Sequence, residues 1–209
     1  MCLYPFSQYS FAQTKQIDSL KILLNKQPND SLKVNTLNIL SKSYFSIDTK
    51  IAMQYASDAK DLAEEINYRN GLALAYKNIG IAYYMQGKNF EAFQIWNKCL
   101  VYFKELGDKA GEANILSNLG VIFLNTSEDN KAVDYFLASL KIAKELNDSL
   151  RIVTLLSNIG SIYGNKKYTY NVAINYYNKS LPFCESTKDP VILGTVLVNL
   201  GEIYYQKGM

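Results

Sequence analysis

The tripeptides Asn78-Ile79-Gly80, Asn118-Leu119-Gly120, Asn158-Ile159-Gly160 and Asn199-Leu200-Gly201 decide how this chain folds. Their glycines stand at 80, 120, 160 and 201, so the spacings are 40, 40 and 41 residues. A weaker copy has Ser41 in the glycine's place, 39 residues before Gly80. Three residues after each comes an aromatic: Tyr44, Tyr83, Phe123, Tyr163 and Tyr204. Ala52, Ala92, Ala132 and Ala173 follow 11 to 13 residues after the glycine or Ser41. Four residues further on lie Ala56, Trp96, Phe136 and Tyr177, and three beyond those the small Ala59, Cys99, Ser139 and Ser180. From that small residue to the next glycine the count is always 21. So many phased positions make an internal repeat, and the repeat sets the architecture.

Each unit reads as a pair of helices. In the first helix of one unit Tyr76, Ile79 and Tyr83 share a face with Gly80; the next unit has Leu116, Leu119 and Phe123 with Gly120. A glycine inside a helix costs about 0.5–1 kcal/mol relative to alanine, so its recurrence points to helices that approach closely. The expected arrangement sets the second helix's alanine against the glycine, with the aromatic four residues later filling the space beyond. Asp108, Asp148 and Asp189 are placed to cap first helices, and Asp189 is followed by Pro190, which suits a first helical position. Gly87-Lys88-Asn89 and Ser127-Glu128-Asp129 mark turns inside units. Pro182, inside the fourth unit's second helix, is expected to kink that helix or end it early.

These phased residues resemble the tetratricopeptide repeat family, whose signature places a large residue, Leu-Gly and Tyr on the first helix and Ala, an aromatic and Ala on the second. The clearest copies are Tyr76-Ile79-Gly80-Tyr83-Ala92-Trp96-Cys99 and Leu156-Ile159-Gly160-Tyr163-Ala173-Tyr177-Ser180. The resemblance implies an all-α, right-handed superhelical solenoid of antiparallel helix pairs. It covers residues 31–209 as four helix pairs and the first helix of a fifth. Residues 14–27, where Ile17, Leu20 and Leu24 share a face, read as a capping helix before the array. The usual period of the family is 34, and here the excess falls between the second helix and the next first helix. Kinesin light chains and some bacterial regulators look similar in this respect.

Composition narrows the function. The 209 residues carry 22 Lys and Arg against 19 Asp and Glu, a net charge of +3, and only Arg69 and Arg151 are arginines, so there is no electrostatic footprint for nucleic acid. No apolar run reaches the roughly 18 residues that span a bilayer. Histidine is absent, which removes histidine-based triads and most catalytic zinc sites. Cys2, Cys99 and Cys184 have no metal-like spacing and no disulfide framework. With no phosphate loop or nucleophile elbow either, the chain is read as a non-enzyme without cofactor.

The resemblance places the family's binding groove on the first helices. Carried over position by position, the groove residues include Lys77, Asn78 and Tyr84, then Asn114, Ser117, Asn118 and Asn125, then Ser157 and Asn158, and finally Asn199. Asn78, Asn118, Asn158 and Asn199 stand in identical phase. A carboxamide offers an acceptor and two donors, so a row of them can read the main chain of an extended peptide. The expected partner is therefore a protein or extended peptide. The family's clamp for a terminal carboxylate is absent, because Ile81 stands where its asparagine belongs.

The ends carry two further expectations. Met1 to Ala12, with Ser10 and Ala12 in a small-x-small arrangement, resembles the tail of a secretory leader without its basic start, which would make the protein exported; without a leader it would be cytoplasmic. The fifth unit reaches only its first helix, so the chain is read as a fragment of a longer protein, with a sensor's input module as the alternative to a scaffold, and its open repeat as a site of self-association.

Overall fold

The computed structural model describes residues 6–208, with side chains from residue 15. The leader-like segment 1–12 lies partly outside the described residues. Among the described residues there are ten α-helices and a single 3-10 turn, with no strand. The helices are α1 (Phe6–Leu24), α2 (Ser31–Tyr44), α3 (Thr49–Glu65), α4 (Arg69–Met85), α5 (Asn89–Glu105), α6 (Lys109–Asn125), α7 (Asp129–Glu145), α8 (Ser149–Gly164), α9 (Tyr170–Thr187) and α10 (Pro190–Lys207), and the 3-10 turn is Lys167–Thr169. The fold class is an all-α helical-repeat solenoid of tetratricopeptide type.

The 40-residue period has a simple origin. From α4 to α7 every helix has 17 residues. Each is separated from the next by three residues, at 86–88, 106–108 and 126–128. Two helices and two turns therefore make one period, and the excess over shorter repeats sits in helix length rather than in loops. The turns close through left-handed backbone. Asn67, Gly107, Asn147 and Lys188 have φ of 56°, 68°, 54° and 55°, and Gly87 and Ser127 have 74° and 60°. Asn and Gly tolerate that conformation best, so the turn residues and the period specify each other. The aspartates then start the next helix: the carboxylates of Asp108, Asp148 and Asp189 accept from the backbone N–H of Gly111, Arg151 and Val191 at 2.8, 3.0 and 2.9 Å. Asp30 and Asp48 do the same for α2 and α3.

The chain divides into two compact units, residues 1–106 and 107–209. In the first, α2 packs on α3, α3 on α4 and α4 on α5, with α2 also beside α4. Its core runs through Val34, Leu37, Ala59, Leu62, Ala63, Leu72 and Ala75, all buried. The second unit repeats the pattern with α6 on α7, α8 on α9 and α9 on α10, and α8 lies beside α10. Its core holds Phe136, Leu140, Ile152, Leu155 and Ile159, continued by Tyr177, Cys184, Val196 and Leu200.

The repeated glycines are explained by rings. A Cβ on Gly120 would lie 2.6 Å from the Phe136 ring, one on Gly160 3.0 Å from Tyr177, and one on Gly80 would collide with Trp96. This corrects the expected packing: the aromatic of the second helix, rather than its alanine, sits directly on the glycine. The first unit completes the rule by inversion. Where the ring is replaced by Ala56, the glycine is replaced by Ser41, whose hydroxyl donates to Ala52 O at 2.8 Å. A second set of ring pairs recurs beside these contacts, Tyr44 with Tyr55, Phe123 with Tyr135 and Tyr163 with Tyr176, at centroid distances of 5.6, 5.3 and 5.7 Å.

Pro182 does neither of the things its sequence position suggests, because α9 continues through it to Thr187. Tyr177 and Ser180 before it and Cys184 after it are buried, so packing holds the helix on both sides of the missing N–H.

Candidate functional site

Within each unit, neighbouring first helices leave a cleft between them. In the first unit it lies between α2 and α4, has a volume of about 380 Å³, and is lined by Asn35, Asn38, Ile39, Lys42, Leu74, Lys77 and Asn78. In the second it lies between α8 and α10, measures about 260 Å³, and is lined by Val153, Thr154, Ser157, Asn158, Ser161, Ile192, Thr195, Val196 and Asn199. A smaller hollow of about 150 Å³ adjoins it, sharing Ser161 and Asn199 and adding Tyr177 and Gln206. The structure thus brings Lys77 and Asn78 together in one cleft, and Ser157, Asn158 and Asn199 in another.

The two clefts differ in how their amides are used. Asn78 is 4% exposed, and its amide donates to both O and Oδ1 of Asn38 at 3.1 Å. Asn38 is buried as well and donates in turn to Gly71 O at 3.1 Å. These amides therefore tie α2 to α4. The phase of Asn78 and the groove position of Asn38 were visible in the sequence, but their bond was not, because Asn38 stands three residues before Ser41 whereas Asn78 stands two before Gly80. Asn158 and Asn199 are only half buried, and within their unit neither carboxamide takes a hydrogen-bond partner among the described residues. Beside them, the buried Ser157 Oγ has no partner either. Ser161 pairs with the Tyr177 hydroxyl at 2.9 Å, and burial pushes that hydroxyl's pKa above the ordinary tyrosine value while the Ser161 bond works against the rise.

The other carried-over positions fall elsewhere. Tyr84 packs on the Trp96 ring, with centroids 5.9 Å apart, and does not line the α2–α4 cleft. Asn114, Ser117 and Asn118 are half buried on α6, and Asn125 is exposed at the end of that helix. The thiols are packing groups: Cys99 Sγ donates to Ala73 O at 3.2 Å, and burial raises the Cys184 pKa. The apolar floor of the second cleft, Val153, Ile192 and Val196, was not singled out in the sequence, since in any helical array such residues read as core. Among the described residues no group of three or more His, Cys, Asp or Glu could hold a metal ion, and no helix is long and apolar enough to cross a membrane.

The tetratricopeptide repeat family model matches residues 71–145, from the first turn of α4 to the end of α7. That span is about a third of the chain, the same phased residues continue on both sides of it, and the similar structures share a tetratricopeptide-like repeat fold. No curated protein matches the sequence. Among solved structures the chain is similar to BtubC from P. vanneervenii, at 20% identity and a TM-score of 0.75, covering 94% of this chain and 82% of that one. It is similar to a signal transduction ATPase with numerous domains from Pyrococcus horikoshii that carries a tetratricopeptide repeat sensor, at 20% identity and a TM-score of 0.80. It is also similar to the Rap conjugation gene regulator of the plasmid pLS20, solved in complex with the Phr* peptide, at 16% identity and a TM-score of 0.74. The last two matches cover 92% and 91% of this chain but only 30% and 54% of the larger proteins. At these identities the likeness is one of fold.

Proposed function

We propose that this protein is a non-catalytic binding module that captures an extended peptide or protein segment on the faces of its first helices. The observation that carries this reading is the α8–α10 cleft. Asn158 and Asn199 line it with unpaired carboxamides, Ser157 adds an unpaired hydroxyl, and Val153, Ile192 and Val196 form an apolar floor. Unpaired amides that line one cleft suit the N–H and C=O groups of an extended main chain, and the floor suits its side chains. Recognition is then mainly of backbone, with modest side-chain preference. The peptide bound by the similar conjugation regulator supports the same reading.

The experiment is capture from an arrayed library of twelve-residue peptides, comparing the wild-type chain with Asn158→Ala/Asn199→Ala. Losing two amide contacts is expected to weaken the captured peptides about tenfold, at about 0.5–1.5 kcal/mol per bond, with helicity retained. Asn78→Ala is the contrasting variant: it removes the α2–α4 tie and is expected to cost stability. Unchanged affinity in the folded double variant rejects the reading.

A second reading makes the same surface the input of a regulator, and the sensor-bearing ATPase among the similar structures favours it. The parent gene on both sides of this segment discriminates. A leader upstream with a transmembrane helix and a catalytic or DNA-binding domain downstream would establish the sensor, and their absence there would leave the stand-alone scaffold.

A further inference from the structure

The hollow of about 150 Å³ beside the α8–α10 cleft differs from it in kind, because it is polar and carries a charge. Helices α8, α9 and α10 surround it with Ser161, Asn165, Tyr177, Asn199, Glu202 and Gln206. Each of these side chains offers an oxygen as acceptor, and among the described residues no lysine or arginine lines the hollow. Tyr177 is only 2% exposed, and its hydroxyl is paired with Ser161 Oγ. Glu202 supplies the charge. Gln206 donates to its Oε1 at 3.2 Å and accepts in turn from the Tyr170 hydroxyl at 2.7 Å, so the carboxylate is held in place by neutral partners. Glu202 has no ion pair among the described residues. Lys166 and Lys207, on the flanking turn and helix end, are held by Asp129 and Asn171 instead. The hollow also adjoins the end of α8, at Gly164 and its cap Asn165, where a helix carries partial negative charge that favours a cation. Repeat phase singles out the same residue: Lys42, Ile81, Val121, Ser161 and Glu202 each follow the glycine or Ser41 by one, and Glu202 alone is acidic.

We propose that this hollow is an ammonium subsite, which receives the primary ammonium group of a peptide seated in the α8–α10 cleft, from a lysine side chain or a free amino terminus. An ammonium group brings three N–H donors and a positive charge. Glu202 takes one donor together with the charge, and the hydroxyl pair and the carbonyl oxygens of Asn165 and Asn199 take the others. A carboxylate or an aliphatic tip would find neither charge nor apolar wall to match it. The hollow and the cleft share Ser161 and Asn199, so a residue held in the cleft borders the hollow. The cleft of the first unit has the opposite character, since Lys42 and Lys77 line it and no carboxylate does. A helix covering α10 as α5 covers α4 would lie on Gly194, Val198, Gly201 and Tyr205, the equivalents of Ala73, Lys77, Gly80 and Tyr84. None of those α10 residues lines the hollow. The inference rests on the peptide-binding reading for the kind of ligand and adds the group that the ligand must carry.

The test is a nuclear magnetic resonance titration of the nitrogen-15-labelled 209-residue chain with three small probes. N-acetyl-lysine N-methylamide carries the ammonium on a side chain, alanine N-methylamide carries it at the amino terminus, and N-acetyl-norleucine N-methylamide has none. At least one ammonium probe is expected to shift the backbone amides of Ser161, Tyr177 and Glu202 saturably, with half-saturation on the order of 1–10 mM for so small a ligand. The norleucine probe is expected to leave them in place, and the stronger of the two ammonium probes identifies the source of the group. Glu202→Gln keeps the shape and the oxygen that accepts from Gln206 at an exposed position, and its spectrum reports directly that the fold is retained. It is expected to weaken the ammonium probe at least about tenfold, the loss of a charge-assisted bond. Two silent ammonium probes, a norleucine probe that binds as well, or a folded Glu202→Gln variant that binds unchanged would each overturn the proposal. Failure of the peptide-binding reading looks different: library capture is then indifferent to Asn158→Ala/Asn199→Ala, whatever the ammonium probes do.

Discussion

At the scale of single residues, the chain obeys a rule of conserved volume between two positions 15 to 17 apart. Gly80 faces Trp96, Gly120 faces Phe136 and Gly160 faces Tyr177, while Ser41 accompanies Ala56. Packing at crystalline density explains the exchange: a methyl added on one side must be subtracted on the other. Gly120 and Gly201 make the rule measurable, because they share a phase and differ only in what lies over them. Gly120→Ala pushes a methyl to 2.6 Å from a fully buried ring and is expected to destabilise by about 1–3 kcal/mol. Gly201→Ala meets open space and is expected to stabilise by about 0.5–1 kcal/mol through helix propensity alone. Urea midpoints at low protein concentration should move in opposite directions; movement of both in the same direction would mean that the glycines serve the backbone rather than the ring.

At the scale of elements, the aspartate-led helix starts and two of the turns were open to reading, and the other helix ends were not. Asp108, Asp148 and Asp189 announce their helices because a short carboxylate before an apolar-periodic run has a definite job at free N–H groups. The turns at Ser127 and Asn147 were marked as well, but the ends at Asn67 and Lys188 close on left-handed backbone that their side chains do not announce as glycine does. The same limit applies to the clefts. The phase of the asparagines was plain, but burial separates Asn78, spent on Asn38, from Asn158 and Asn199, and phase carries no information on burial. Pro182 was misjudged because local propensity yields to the buried side chains that flank it. Its cost to α9 nonetheless remains. Pro182 is exposed, so Pro182→Ala restores an N–H toward Asn178 O without disturbing the core, and is expected to stabilise by about 1–3 kcal/mol. A thermal midpoint that stays put or falls would show that the proline ring itself contributes packing.

At the scale of the whole molecule, stability in a helical array is close to a sum over units and their neighbours, so damage can remain local. The two compact units allow this to be examined with native probes. Trp96, the single tryptophan, is buried in the first unit and reports on it alone, whereas far-ultraviolet circular dichroism reports on all helices. Phe136 is fully buried in the core of the second unit, against Leu140, Ile152 and Ile159. Phe136→Ala removes a ring that fills the space over Gly120, and a deletion of that kind costs about 3–5 kcal/mol. The expected outcome in urea is a dichroism curve that begins to fall early, as the helices of the second unit are lost, while Trp96 fluorescence keeps the wild-type midpoint. Coincident curves shifted together would instead make the chain one cooperative block, and the core around Phe136 would then be holding α4 and α5 in place as well as its own helices.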